Sequence, residues 1–390
     1  MFLQYMALPV WFVPLLPYVR TLSGGEAWTL WCGLVMGFGT MASPFVGMFA
    51  DRFLNAERVL GICNFAGAGL LGAAFFVRSP AMLFVLVLLA LCLYMPSWSL
   101  TATIGMAHLS RTDFSRVRAF GTAGWVASGV FSFAGTAFGI ASFDTTPWIF
   151  AVGASVSLCA GVLAFGFLPS TAPSVRGQPL SVADALGLRA LVLFRQRSFR
   201  RFAILLFLAM IPFQWYNVYC AVYLQETGFR YLTMTINLGQ AGEVGFILLV
   251  PWILGRFGFR KAMVVGLSAL AFRNVCFLLS ASCGWSALDF GGILIHGLIF
   301  GIFVVGSQMY IAEESPPELR GQAQGLVNLL TAGVGFFSST AIFGWMLGLG
   351  EAGQHNWTAT YAGALVLTVV AMGVALFGRG GPRFSGECAK

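Results

Sequence analysis

The sequence predicts an all-α membrane protein in which twelve transmembrane helices form two six-helix bundles in a parallel pseudo-repeat. The 390 residues are 58% hydrophobic and 9% charged, with a mean hydropathy of +0.84. A soluble protein carries roughly 25% charged residues, so too few charges are present here to coat a water-soluble globule. Apolar runs of about 20 residues, enough to cross a bilayer, recur along the whole chain.

The apolar runs give twelve predicted helices, α1 to α12, separated by short connections that contain turn residues such as Gly24-Gly25 and Pro316-Pro317. A longer connection after α6 turns from polar to apolar and basic, which predicts a short helix at the headgroup level. The predicted spans are 1–18, 27–50, 59–77, 82–108, 119–141, 148–168, 202–224, 232–254, 263–282, 290–312, 326–349 and 358–377. The predicted domains are an N-terminal bundle (1–168), a cytoplasmic linker with an interfacial helix (169–201), a C-terminal bundle (202–378) and a cytoplasmic tail (379–390).

The basic residues predict the orientation in the membrane. Of the 22 lysines and arginines, Arg20, Arg78 and Arg230 fall in the odd-to-even loops and Arg273 lies inside α9, whereas all others fall in the even-to-odd loops and the tail. Positive charge marks the cytoplasmic side, so both termini are predicted to be cytoplasmic. This placement also explains the net charge of +8 without a nucleic-acid partner. The scattered cysteines have no metal-site spacing, and no metal or cofactor is expected.

The two predicted bundles are weakly alike in their loops. Gly47 to Phe53 after α2 corresponds to Gly255 to Lys261 after α8, and each stretch carries at least one basic residue. Two parallel six-helix halves with a site near the midplane are the architecture of the major facilitator superfamily, and the Asp51-Arg52 loop partly resembles its G-x-x-x-D-R motif. Asp51 and Arg52 are therefore expected to stabilise a gate at a helix end.

One acidic residue is out of place in lipid. Glu243 lies midway along α8, with Gln240 three residues earlier on the same face, whereas the other acids fall in loops, at helix ends or in the tail. An unpaired carboxyl in this position would take up and release a proton, which makes Glu243 the candidate for proton coupling. The alternative is that Glu243 pairs with Arg273 of α9 and only stabilises packing.

Other polar side chains recur inside the predicted helices. Gln214 and Asn217 are three apart in α7, and His296 and Phe300 are one turn apart in α10. Buried amides either face an internal cavity or bond a neighbouring helix, and the histidine is either a site residue or a packing residue. In α5, Arg118, Thr122 and Trp125 share one face. Arg118 is either a cytoplasmic anchor or, if the helix begins earlier, near Phe114, a residue of the cavity.

With these residues the chain resembles the nucleoside:proton symporter family of the major facilitator superfamily. The resemblance implies a nucleoside bound in a central cavity. The segments that carry it are Phe2-Leu3-Gln4, Ala50-Asp51-Arg52, Tyr94-Met95-Pro96, Arg118 with Gly121-Thr122, Gln214 with Asn217, Gln240 with Glu243, and Ser315-Pro316 with Gln322 to Gly325. The contacts that it implies are Arg118, Thr122, Trp125, Gln214, Asn217, Gln240, Glu243, Phe300 and the position of His296.

Two positions depart from the family pattern, which has a tyrosine at His296 and an acidic residue at Gly301. The loss of the acid leaves Glu243 as the sole buried carboxyl of the pattern, and His296 would be able to titrate near neutral pH in its place.

The resulting expectation is a monomeric, multi-pass protein of the bacterial inner membrane that imports nucleosides with protons by alternating access. A transporter of another polar solute such as a sugar, or a drug exporter, is the first alternative. An intramembrane enzyme or a sensor is the second, but the chain has no HExxH or GxSxG motif, no paired carboxylates in its helices and no soluble output domain.

Overall fold

The computed structural model describes residues 1–50, 52–139, 142–173, 188–316, 319–348 and 355–377. Over these residues the chain is helical with short connections, so the predicted all-α class is confirmed. The linker residues that are described include a 3₁₀ helix at Leu188–Arg195, where the interfacial helix was predicted. The helices are α1 (Phe2–Arg20, in three short pieces), α2 (Thr29–Ala50), α3 (Ala56–Phe76), α4 (Pro80–His108), α5 (Arg111–Ala127 and Gly129–Ala137), α6 (Trp148–Phe167), α7 (Arg197–Glu226), α8 (Leu232–Ala241, continuing from Glu243), α9 (ending at Cys283), α10 (Ala287 to Glu314), α11 (Arg320 to Leu347) and α12 (Trp357–Phe377).

Within the described ranges, ten helices are long and apolar enough to cross a membrane, against twelve predicted. The difference lies in α5 and α8. Helix α5 is interrupted at Ser128, and α8 is interrupted at Gly242. The second part of α8 then runs on into α9 as Glu243–Cys283, with a sharp bend at Gly258, whose φ of 74° is accessible to glycine without strain. Neither α5 nor α8 is therefore a single long apolar helix.

Helix α5 begins at Arg111, eight residues before the predicted start of its apolar span. Ser110 caps it, because its hydroxyl accepts from the Asp113 backbone N–H at 3.1 Å and donates to the Asp113 carboxylate at 2.7 Å. This Ser-x-x-Asp arrangement is a variant of the capping box, in which the Asp113 carboxylate accepts from the hydroxyl of the N-cap serine and not from its backbone N–H. Arg118 consequently lies in the second turn of α5 instead of just before it.

Large apolar side chains are exposed on the helix surfaces. Phe76, Phe138 and Phe377 are 79%, 85% and 84% exposed, respectively. In water such surface would be strongly unfavourable, whereas in a bilayer it contacts lipid acyl chains. The buried side chains are mostly apolar as well, and polar ones such as Asn64 and Thr368 are included among them.

The helices form two compact units. The first contains Met1–Ala185 and Val218–Asn237, and the second contains Leu186–Asn217 and Leu238–Lys390. The end of α7 and the start of α8 thus pack with the N-terminal part of the chain. The division at residues 168 and 202 stays a prediction.

Three helices of the first unit are joined by a buried amide network. Gln4 of α1 donates to the Ser97 hydroxyl of α4 at 2.8 Å and accepts from the Asn64 amide of α3 at 2.8 Å. The Tyr94 hydroxyl donates to the backbone carbonyl of Gln4. These bonds satisfy side chains that are otherwise costly in an apolar interior, and they fix α1 against α3 and α4.

A buried carboxylate holds the start of α8 to the α5–α6 connection. Asp144, which is 1% exposed, accepts from the backbone N–H of Leu232 at 2.8 Å and from the Thr233 hydroxyl at 2.7 Å. The Ser132 hydroxyl of α5 also donates to it. Asp144 therefore caps the N-terminus of α8 from 88 residues away in the chain.

We expect Asp144→Ala to lower the free energy of unfolding by about 1–3 kcal/mol, because it leaves the Leu232 N–H and the Ser132 hydroxyl without their buried acceptor. Asp144→Asn should be milder, because its carbonyl oxygen still accepts the N–H while its amide donates to Thr233. Thermal unfolding of the detergent-solubilised protein measures both. Equal losses for the two variants would contradict the capping role.

The wild type and Asp144→Asn can also be compared as a function of pH. Burial raises the pKa of Asp144 from its ordinary value of 3.8, and the hydrogen bonds from Ser132, Thr233 and Leu232 offset part of that rise. The folded protein binds this proton more tightly than the unfolded chain does. The stabilisation that the bound proton gives is therefore fully present below pH 3.8, the ordinary pKa, and is lost as the pH rises through the raised pKa of the folded protein. The stability of the wild type relative to Asp144→Asn should therefore decrease as the pH rises through this window.

Candidate functional site

Three predicted site residues of the first unit lie on α5, and the structure surrounds them with aromatic rings. The Arg118 guanidinium lies 4.4 Å from the centre of the Tyr5 ring, and Tyr5 stacks on Trp98 at 5.6 Å with parallel planes. Trp98 in turn contacts Trp125 at 6.3 Å. Thr122 is partly buried on the same helix between Arg118 and Trp125. We call these five residues the aromatic cluster.

A glycine allows this arrangement. A Cβ on Gly124 would lie 2.1 Å from the backbone oxygen of Phe2, so α1 and α5 touch backbone to backbone at this point. The contact fixes Trp125 relative to Tyr5 on α1, three residues after Phe2. Cation–π contacts of the Arg118–Tyr5 kind contribute about 0.5–1 kcal/mol when exposed and more when desolvated.

In the second unit, Gln214 and Asn217 of α7 are paired with each other. The Asn217 amide donates to the Gln214 carbonyl oxygen at 2.8 Å, and Gln214 is buried while Asn217 is partly buried. Trp215 faces the opposite way: its indole N–H donates to Asn274 at 3.3 Å, and Asn274 donates to Thr368 of α12 at 3.1 Å. The two amides therefore occupy a different face of α7 from this structural network.

The backbone is irregular where the polar residues of α8 and α10 lie. Helix α8 is interrupted at Gly242, so that Glu243 begins the continuing helix, and α10 is interrupted at Ile295, immediately before His296. A π-helical turn, Gly301–Gly306, follows Phe300. Interrupted helices and π-turns are frequent at binding sites in transporters, because they leave backbone groups available inside the membrane.

Glycines bring α8 and α10 into direct contact at these interruptions. A Cβ on Gly297 would lie 2.7 Å from both the Cα and the backbone nitrogen of Glu243, and one on Gly239 would lie 2.6 Å from the Ile293 oxygen. Small residues permit this kind of close helix approach in membranes. Glu243, 5% exposed, is consequently held against the helix that carries His296.

His296 is the centre of the second group. Its Nε2 lies 3.0 Å from the Gln240 carboxamide and its Nδ1 lies 2.9 Å from Nη2 of Arg273. Tyr216 and Phe213 of α7 stack on its ring at 5.1 and 5.8 Å, and Phe300 stacks at 6.1 Å. We call His296, Gln240, Glu243 and Arg273, with these three rings, the histidine cluster.

Arg273 is fully buried, with 0% exposure, although it carries a permanent charge. Its Nε donates to the Gly292 carbonyl at 3.2 Å, and its guanidinium lies 4.3 Å from the centre of the Tyr216 ring. A charge in this position is retained only where hydrogen bonds and π faces replace its hydration. The contacts of Arg273 thus include the imidazole of His296, which the sequence did not predict.

The structure brings most of the predicted residues together in these two clusters and the Gln214–Asn217 pair. Asp51 lies outside the described residues, and the gating role of Arg52 stays a prediction.

Sequence reasoning missed Tyr5, Trp98 and Asn237. Asn237 donates to the Trp125 carbonyl and to the Ser128 hydroxyl, both at 3.0 Å. Asn237, Gln240 and Glu243 follow one another at intervals of three residues, and this spacing was the signal in the sequence that they share one polar face of α8.

A helical membrane fold that holds a buried carboxylate at a helix interruption, together with paired amides and a buried cation inside its helices, is the arrangement of a membrane transporter. The comparisons identify which kind. The family model described as "Nucleoside H+ symporter" matches residues 1–379. The chain therefore belongs to the nucleoside H+ symporter family, and the protein is a transporter and not an enzyme.

Individual relatives agree with this assignment. YegT of Escherichia coli K12 is 33% identical over 97% of this chain and 92% of its own length, and the xanthosine permease of the same organism is 27% identical over 88% and 85%. The crystal structure of the nucleoside transporter NupG superposes with a TM-score of 0.80 at 23% identity, over 96% of this chain and 97% of the other. The predicted major facilitator fold is thereby confirmed.

Proposed function

We propose that this protein imports nucleosides together with protons by alternating access. The observation that carries the proposal is the position of Glu243: it is 5% exposed, it begins a helix inside the membrane, and it lies one turn from Gln240, whose carboxamide contacts the aromatic-stacked ring of His296. Membership of the nucleoside H+ symporter family supports the same substrate class.

The chemistry of the two clusters suits a nucleoside. A ribose offers hydroxyls that both donate and accept, which matches a carboxylate and a carboxamide one helical turn apart. A nucleobase offers a flat face for Phe300 or Trp125 and polar edges for the amides of Gln214 and Asn217. Arg118 and Thr122 add donors from α5. We propose all of these as substrate contacts, together with His296.

The coupling proton is proposed to reside on Glu243. A carboxyl in a poorly solvated position exchanges protons when its surroundings change between conformations, and substrate hydroxyls that bond to it couple the two events. The family's second acid is replaced by Gly301, so the chain has a single acid where the pattern has two.

Uptake into proteoliposomes tests the proposal. Labelled uridine, adenosine and xanthosine should accumulate when the outside is more acidic than the inside, and a proton ionophore should abolish accumulation while leaving nucleoside exchange intact. A sugar panel and a lipophilic cation serve as competing substrates. Accumulation of a sugar alone, or nucleoside uptake that is indifferent to the pH gradient, would overturn the substrate or the coupling, respectively.

We propose an inner-membrane location in a bacterium, cytoplasmic termini, a monomer and the six-plus-six division of the chain at the linker. The charge asymmetry of the loops supports the orientation. Cysteine labelling from either side of right-side-out vesicles, at Arg78→Cys and Arg195→Cys in a background from which exposed cysteines are removed, tests it: only the first should react from outside.

A further inference from the structure

The buried pair of Arg273 and His296 has a consequence for Gln240, because the hydrogen-bonding roles within the histidine cluster are mutually dependent. A guanidinium has N–H donors only and does not lose its proton in proteins. Nη2 of Arg273, 2.9 Å from Nδ1 of His296, must therefore donate, and Nδ1 must accept with a lone pair. A proton on Nδ1 would place two donors against each other, and a doubly protonated ring would also place two positive charges against each other.

The second ring nitrogen then carries the proton. A neutral imidazole has one N–H, so Nε2 is the donor when Nδ1 is the acceptor. Its partner is the Gln240 carboxamide at 3.0 Å, in which the atom placed nearest to the ring is the nitrogen Nε2. The N–H of the ring and the N–H₂ of Gln240 are both donors and do not bond to each other. If His296 instead accepted at both ring nitrogens, the ring would have no proton and would be an imidazolate. Because the oxygen and nitrogen of an amide have the same shape, the orientation follows from the network: the oxygen of Gln240 faces His296.

We propose that Arg273 is a positioning residue for substrate binding, which fixes His296 as the neutral Nε2–H tautomer and so turns the N–H₂ of Gln240 away from the ring. This inference rests on the proposed function for its ligand. Gln240 then offers donors, and Glu243, one turn along the same helix, offers an acceptor. The pair fits two neighbouring groups of a nucleoside, one that accepts and one that donates, such as adjacent ribose hydroxyls.

The surroundings bear on the protonation of His296. Arg273 faces it from α9, the Tyr216 ring from α7 and Gln240 from α8, while Glu243 lies on the part of α8 that packs on Gly297. On α10 itself, the acidic residue nearest to His296 in sequence is Asp289, two turns before it, which is buried. With the guanidinium in direct contact, we infer that the imidazole stays neutral and that it does not carry the coupling proton in place of Glu243.

Nitrogen-15 NMR of histidine-labelled full-length protein in nanodiscs tests the tautomer without any transport assay. The chain has three histidines, and a His108→Gln, His355→Gln background leaves His296 as the sole labelled residue. The expected spectrum has a protonated Nε2 and a bare Nδ1, unchanged between about pH 6 and pH 8. A protonated Nδ1, or a doubly protonated ring within this range, would overturn the proposal.

Two variants separate positioning from packing. Arg273→Lys keeps a charged donor and should keep the Nε2–H tautomer, whereas Arg273→Met removes it and should give a mixture of tautomers or a ring that titrates. Uridine binding should weaken about 3- to 10-fold in Arg273→Met, the loss of one net hydrogen bond, and should be largely rescued in Arg273→Lys. An unchanged tautomer in Arg273→Met contradicts the role of the guanidinium.

The wild-type spectrum decides the assignment even if Arg273→Met does not fold. A failure of nucleoside binding in every protein, with the expected tautomer present, would overturn the proposed substrate and leave the proton assignment standing.

Discussion

Removing the carboxylate of Glu243 is expected to abolish proton-driven accumulation of nucleoside. In Glu243→Gln the neutral carboxamide cannot exchange a proton, so uptake should run only down the nucleoside gradient. In Glu243→Ala the acceptor itself is lost. A hydrogen bond to a charged group contributes about 1.5–3 kcal/mol, so uridine should bind about 10- to 100-fold more weakly. Proteoliposome uptake and isothermal titration measure the two effects separately.

Glu26→Gln is the matched control, because the Glu26 side chain is 58% exposed at the end of the α1–α2 connection, where it pairs with Arg20. Surface ion pairs contribute little, so this variant should accumulate nucleoside as the wild type does. Glu243→Gln protein that concentrates nucleoside against its gradient in response to pH would show that the proton travels by another group.

The second large effect is expected from a single methyl group on Gly297. A Cβ there would lie 2.7 Å from the Cα and the nitrogen of Glu243, and neither backbone atom can rotate away. Helix α8 must therefore shift relative to α10. Overpacking of this kind costs about 1–3 kcal/mol, and the displaced Glu243 should weaken uridine binding by about 10-fold or more. Thermal unfolding and titration of Gly297→Ala check both numbers.

Gly245→Ala provides the comparison, since a Cβ on Gly245 meets no atom within 4 Å although the residue lies on the same helix, two positions after Glu243. It should be neutral or slightly stabilising, because alanine favours the helix over glycine. If Gly297→Ala and Gly245→Ala behave alike, the contact between α8 and α10 is not what holds Glu243 in place.

The sequence predicted the helix class and the polar residues better than it predicted helix boundaries. Apolar runs and turn residues located most of the helices within a few residues. Helix α5 was placed too late because its first two turns are polar, although the Ser110–Asp113 capping box marks the true start. Helices α8 and α9 were predicted as two spans joined by a polar connection, and the backbone passes through that connection with a sharp, non-helical bend at Gly258 in place of a longer loop.

The contacts of individual polar residues were less accessible. Arg273 was predicted as a possible partner of Glu243, and the structure adds its contacts with His296 and Tyr216. Asp144 was assigned to a loop, whereas it caps a helix 88 residues later. Both depend on which helices are neighbours, and a single sequence does not specify neighbours because every lipid-facing surface is equally apolar.

By itself, the sequence determined the membrane environment, the helical class and the presence of polar side chains such as Glu243 and Arg273 inside the apolar runs. These follow from local composition, because a polar side chain within an apolar run has no favourable partner in lipid wherever the run packs. Only the tertiary structure decided which of those groups meet: the stacking of Tyr5 on Trp98, the seating of Glu243 on Gly297 and the bonds of His296 to Arg273 and Gln240. Those contacts depend on close approach at glycines and on interrupted helices, and they arise only when distant segments pack together.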